Sequence, residues 1–258
     1  MTSVIEGEVI PRLLKAYRHV EPPPHVSARV GSQADGPCDQ DVDTFARLLV
    51  SDGCGAAMAL VNRFRRDGVD DDAIYAHLLD PGARRLDDQM NGLGDAFTDV
   101  SLATERLHRI LHELDRELLC DTELRGLERR VLVANAPGED TTCADLMVAA
   151  FFHRAGWDVV EAPPVETYDA LMHLVREDWL AVAHLSVSRP CRVPGLARGL
   201  EGLRRASDNQ NLGIILGGAV VRGEPSLAAR VGADGSALTG PEAVERAEDL
   251  LGAATGTC

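Results

Sequence analysis

Apolar and polar positions follow two different rhythms along this chain, and the rhythm changes near residue 125. Before that point apolar side chains recur every three or four residues, the spacing of one buried helix face. Val9, Ile10, Leu13, Leu14 and Tyr17 predict a helix over Glu8–Tyr17. The stretch VEPPPHVSARVGSQADGPCDQ that follows is rich in Pro, Gly and Ser and reads as a flexible linker over about 20–40. Helical spacing resumes over Val42–Val50, Ala56–Arg66 and Asp71–Leu79. Asp80-Pro81-Gly82 is expected to stop the last of these, because a proline disfavours helix for the residue before it. A short helix around Ala83–Met90 and a long one over Thr98–Leu119, with Thr98 as its N-cap, complete a small helical bundle.

Beyond residue 125 short apolar runs alternate with helical patterns. VLVAN (131–135), WDVVE (157–161), WLAVAHLS (179–186), LGIILGG (212–218) and a brief segment near Ala233–Ala237 read as strands. Between them fall helices over 145–156, closed by Gly156, over 166–177, over 193–206, where glycines are expected to break it, and over 226–232; PEAVERAEDLL (241–251) is the last helix. Strict alternation means a parallel sheet with helices on both faces. Right-handed crossovers make a five-stranded flavodoxin-like sheet the expected topology. The chain thus divides into a helical region, 1–122, and an α/β domain, 123–258. In such a fold ligands sit at the carboxyl ends of the strands, so the loops there carry the functional question.

Charge narrows the classes. The formal net charge of -15 opposes autonomous DNA binding, which draws on phosphate neutralisation. The basic residues are arginines apart from Lys15, and the pairs Arg65-Arg66, Arg84-Arg85 and Arg129-Arg130 are short and set among acidic residues. No apolar run reaches membrane-spanning length, and the acidic N-terminus lacks the pattern of a signal peptide, which points to a cytoplasmic protein without a membrane partner. The six cysteines form no C-x-x-C pair. Walker, G-x-S-x-G and H-E-x-x-H motifs are missing, so the chain does not read as a self-sufficient enzyme.

The loop after the first strand reads NAPGEDTTCAD. Pro137 and Gly138 turn the chain, and Glu139, Asp140, Thr141 and Thr142 open a helix whose free N–H groups can hold an anion or a polar ligand edge. The module PGEDTTCADLMVAAFFHRAGWDVVEAPP, with HLSVSRP, IILGGAV and GADGSA downstream, resembles cobalamin-binding domains over about 125–253. In that alignment Glu139 stands at the family's loop aspartate, Thr141 at its axial histidine and Ala144 at its glycine. Ser186 and Ser188 stand at its serine segment, and Gly217-Gly218 at its glycine pair. IEGEVIPRLL (5–14) and FTDVSLATERLHRIL (97–111) look like the helical region of the AerR and PpaA photosynthesis antirepressors, with Met90 where many relatives carry a tryptophan.

The resemblance implies a tetrapyrrole-linked regulator. Cobalamin is the expected cofactor, with heme as the alternative and a ligand-free module as a third possibility. The expected contacts are Gly138, Glu139, Thr141, Thr142, Cys143, Ser186, Ser188, Gly217, Gly218 and Met90. Light or redox state would be passed to a partner, a transcriptional repressor. A corrinoid carrier for methyl transfer is the rival from another class. Thr141 supplies no imidazole lone pair, so the residues leave the axial ligand open. Cys143 near a helix N-terminus, where a thiol pKa should fall, and the i, i+4 pair His108 and His112 are the candidate metal ligands. His184 reads as a neutral core histidine and His153 as structural.

Overall fold

The computed structural model describes residues 36–51, 53–90, 97–115 and 129–255. The predicted helix over Glu8–Tyr17, most of the linker, the end of the long helix past Asp115, the change of rhythm around 120–128 and the Met90 side chain lie outside them.

Five parallel strands form one sheet in the order β2-β1-β3-β4-β5: β1 (Arg130–Asn135), β2 (Asp158–Glu161), β3 (Val182–Ser186), β4 (Gly213–Gly217) and β5 (Gly235–Ser236). This is the flavodoxin-like order, with its switch point between β1 and β3. β1, β3 and β4 are buried almost throughout, which is why they read as continuous apolar runs. One face of the sheet carries Leu132, Ala134, Ala183, Leu185, Ile214 and Leu216 into a core with Leu171, Val175, Leu196 and Leu200. Alternation sends Val131, Val133, Val182 and Ile215 to the other face, against Phe152, Trp157 and Ala243.

The helices in chain order are α1 (Asp39–Val50), α2 (Cys54–Arg66), α3 (Asp71–Ile74), α4 (Asp80–Met90) and α5 (Phe97–Leu114) before the sheet. Within and after it come α6 (Cys143–Arg154), α7 (Tyr168–Glu177), α8 (Val193–Ala206), α9 (Ala219–Gly223), α10 (Leu227–Val231) and α11 (Gly240–Thr255). Three expectations change. Asp80-Pro81 does not end a helix: a π turn over Tyr75–Leu79 joins α3 to α4, with the Asp80 N–H bonded to the Tyr75 carbonyl. The widened turn passes the proline without needing its missing donor, and the buried Leu78, Leu79, Ala83 and Leu86 hold the helix on its path. Thr98 lies inside α5, which is described from Phe97. The glycines of α8 do not break it: a side chain at Gly199 would collide with the Tyr168 ring, and one at Gly202 would meet Met172 Sδ at 2.9 Å, so they let α7 and α8 pack closely.

α6 is the element that binds the helical region to the sheet. Val148, Ala149 and Phe152 face the sheet, while Cys143, Leu146, Met147 and Ala150 enter a second core with Phe45, Tyr75, Leu107 and Ile110. A helix covered on two sides is apolar nearly all round, and α6 is. Both its ends are also tied to the helical region. Arg154 at its C-terminus bonds Asp115 at 3.3 Å and Asp72, and lies 4.3 Å from the Tyr75 ring centroid. Asp87 of α4 caps its N-terminus.

Candidate functional site

The α6-side face of the sheet turns polar at its carboxyl edge. Along β1 the face reads Val131, Val133, Asn135; along β3 it reads Val182, His184, Ser186; along β4 it reads Ile215, Gly217. Register aligns Asn135, Ser186 and Gly217 in one row across the three strands. Ser186 and Gly217 of this row, with His184, are the floor of a crevice walled by α6, the loop after β3, the turn into α9 and the start of α11.

Local bonds fix the walls. Thr142 and Asp145 form a reciprocal capping box at the start of α6. Oδ2 of Asp145 accepts from the Thr142 N–H at 2.8 Å, the Thr142 hydroxyl at 2.8 Å and the Asn135 amide at 2.6 Å. Glu139 is buried and accepts from the N–H groups of Ser188 and Arg189, both at 2.8 Å. It therefore pins the loop after β1 to the loop after β3, and burial raises its carboxyl above the usual range. Gly138 adopts φ +76°, and its carbonyl receives the guanidiniums of Arg189 and Arg192.

The glycine pair serves packing within the chain. A Cβ on Gly217 would lie 2.7 Å from Nε2 of His184, and one on Gly218, at φ +93°, would lie 2.5 Å from the Val187 carbonyl oxygen. His184 is a buried neutral imidazole, as its place in the strand predicts; burial lowers its pKa to about 4, with Asp145 opposing. Its Nδ1 has no hydrogen-bond partner among the described residues.

The roof of the crevice comes from α4. Asp80, Arg84, Asp87 and Asp88 all line it. The Asp87 carboxylate accepts from the N–H groups of Cys143 at 3.1 Å and Ala144 at 2.8 Å, so the helix terminus expected to hold a ligand edge is capped from within the chain. Burial pushes Asp87 up to about 7, outweighing those two bonds, and Asp145 adds to the rise. Burial likewise raises Asp80 to about 6, against the opposing effect of Arg84. Asp88 meets Arg222 of α9 at 3.0 Å.

Of the predicted contacts, the structure brings together Thr142, Ser186, Ser188, Gly217 and Gly218 in this crevice. Gly138 and Glu139 lie behind it as loop supports. Thr141 faces a different hollow, a groove on the far side of α6 shared with Thr104, His108 and Pro163. His108 and His112 line the continuation of that groove with Leu111, Leu146 and His153. Cys143 is a correction: it is buried beside the Thr104 hydroxyl, 3.6 Å away, and burial followed by the charge of Asp87 raises its thiol instead of lowering it. Among the described residues no three His, Cys, Asp or Glu side chains are grouped to hold a metal. The sequence reading missed Asp87, Asp145 and the roof. Asp145 was detectable, since Thr142 followed three residues later by an acid is a capping-box pattern. Asp87 gave no signal, because nothing local links it to a loop 56 positions away.

Comparison with solved structures matches the whole length of a Methanosarcina barkeri monomethylamine corrinoid protein to 84% of this chain, with a TM-score of 0.62 at 15% identity. The fold is that of a corrinoid protein. Among curated proteins, an uncharacterized 20.5 kDa protein in the bchF-crtJ intergenic region of Rhodobacter capsulatus is 28% identical over 177 residues, which is 68% of this chain and 90% of that one. No family model matches. Among the described residues no helix is long and apolar enough to cross a membrane.

The residues can be tested against a corrinoid. The crevice has a volume of about 50 Å³, space for a few water molecules and far less than a nucleotide tail. His184 fills the space beside Gly217, and α4 covers the mouth. Thr141 offers no imidazole and faces away from the crevice. In this closed arrangement the site does not fit a corrinoid with its tail inserted.

Proposed function

We propose that the protein is a regulatory protein built on the corrinoid-protein fold, antirepressor-like, which acts on a transcription-factor partner and not on DNA itself. The observation that carries this reading is the closed crevice. Here the chain's own helix covers the site, and Thr141, at the position the resemblance gives to the axial histidine, offers a metal no imidazole. The negative charge of -15 supports a protein partner over a phosphate backbone. The relative from between bchF and crtJ fits a regulator of photosynthesis genes, in line with the antirepressor resemblance. Cobalamin, or heme in its place, acts in this reading as a signal that the site admits only in an opened form, with light or redox state as the input. The corrinoid carrier for methyl transfer is the weaker alternative on this geometry.

The test is a gel-shift titration at physiological salt. The protein alone should leave the promoter unshifted, and should alter the shift produced by the partner repressor. Tight, sequence-specific binding by the protein alone, or no effect on the repressor's shift with or without cobalamin or heme, would overturn the reading.

A further inference from the structure

The misfit between fold and crevice has a specific cause. α4 enters from a π turn, a wider and less regular connection than continuous α-helix. It then lies across the carboxyl edge of the sheet with Ala83 and Leu86 buried in the helical core, and two polar contacts fasten it to the walls of the crevice. Asp87 takes both free N–H groups of Cys143 and Ala144, and Asp88 pairs with Arg222 at 3.0 Å and 3.3 Å on the opposite wall. Under this roof lies His184, buried, with an Nδ1 that has no hydrogen-bond partner among the described residues. An unpaired imidazole nitrogen in a roofed crevice is a buried polar group whose cost calls for an explanation.

We propose that α4 is an internal strap that competes for the crevice, and that its release, breaking the Asp87 and Asp88 contacts together, opens the crevice and changes the helical surface offered to a partner. The strap itself stands on the geometry of α4; only the identity of what enters the crevice rests on the functional reading above.

The charges make the closure pH-sensitive. Asp87 faces Asp145 and Cys143 of α6, with Asp80, Arg84 and Asp88 beside it on α4, Arg222 on α9, His184 on β3, and Glu242 of α11 acting on Asp80. Asp87 and Asp80 both hold protons more tightly when enclosed than a free carboxyl does. Closure is therefore favoured by acidification toward about pH 4 and weakened as pH rises through 6 and 7.

The experiment is hydrogen exchange, read by mass spectrometry on the full chain and on Asp87→Ala and Arg222→Ala. With intrinsic rates corrected for pH, exchange of peptides covering 80–90 should rise about tenfold in Asp87→Ala, which loses a helix cap, and a few-fold in Arg222→Ala, which loses a surface pair. Peptides covering 131–135 and 182–186 should stay as protected as in the parent. Unchanged exchange over 80–90 in both variants would overturn the strap, as would equal acceleration in the strands, which marks global unfolding. Hydroxocobalamin retained on desalting by Asp87→Ala but not by the parent would support competition. If 80–90 is released and neither chain retains hydroxocobalamin, the strap stands and the tetrapyrrole reading falls.

Discussion

Two hollows flank α6, and they differ in almost every respect. The crevice on one side is small and roofed, with the charged side chains of Asp80, Asp87, Asp88, Asp145, Arg84 and Arg222 around a neutral His184. The groove on the other side is open, with volumes of about 160 Å³ and 610 Å³ in its two parts, and its walls mix Leu111, Leu146, Ala149 and Ala150 with His108, His112 and His153. Ser186, Ser188, Gly217 and Gly218, which the family resemblance singles out, lie at the crevice. The candidate metal-ligating histidines and Thr141 lie at the groove. A one-dimensional motif joined residues that α6 holds apart. Neighbouring Thr141 and Thr142 are the clearest case: the second caps the helix and faces inward, so the first is turned outward.

The largest effect should come from filling the tightest point of the crevice. Gly218 sits at φ +93° with Val187 backbone atoms 2.5–2.8 Å from any Cβ. Gly218→Ala combines left-handed strain with a backbone clash and should cost about 2–4 kcal/mol in urea unfolding. A loss under about 0.5 kcal/mol would mean that the turn relaxes freely and that the crevice is less rigid than the groove.

A smaller effect should separate the hollows by pH. Asp80 and Asp87 have folded pKa values raised to about 6 and about 7 from an ordinary 3.8. Their stabilising contribution is complete below about 4 and is lost as pH rises through 6 and 7. His184, lowered from 6.5 to about 4, acts oppositely: its contribution is present above 6.5 and lost as pH falls through 4. Between pH 5 and pH 8 the aspartates should dominate, so unfolding free energy declines. Asp87→Asn should shrink that decline by about 1–2 kcal/mol, whatever its effect at a single pH. An identical pH slope in parent and variant would show that Asp87 is not enclosed by α6.

Much of this architecture was legible from the residues. Valine-rich runs such as VLVAN are buried on both faces, and their alternation with helices admits few topologies. Helix continuity was less so. Pro81 carries a strong local stop signal, and tertiary burial of Leu78, Leu79 and Leu86 overrides it through a π turn. The roof was not legible at all. Asp87 and Asp88 in ARRLDDQM have the appearance of a solvated acidic face, and only the docking of α4 on α6 turns one inward and leaves the other outside. Loop motifs report what a strand end presents, whereas a covering helix is specified by packing far from the loop.

The smallest expected effect belongs to the groove. His108 and His112 are both exposed on α5, and among the described residues neither has a buried hydrogen-bond partner that its removal would strand. His108→Ala and His112→Ala should each shift stability by less than about 0.5 kcal/mol, as for surface positions elsewhere. The apolar wall behind them should be far less tolerant. Leu146 is buried at the junction of groove and helical core, and Leu146→Ala should cost about 2–4 kcal/mol. Paired urea titrations of the three variants therefore test whether the groove is an open surface laid over a solid core. If either histidine variant loses as much as the leucine variant, the histidines are part of the packing between α5 and α6. The contrast between a closed, structurally committed crevice and an open, uncommitted groove would then fail.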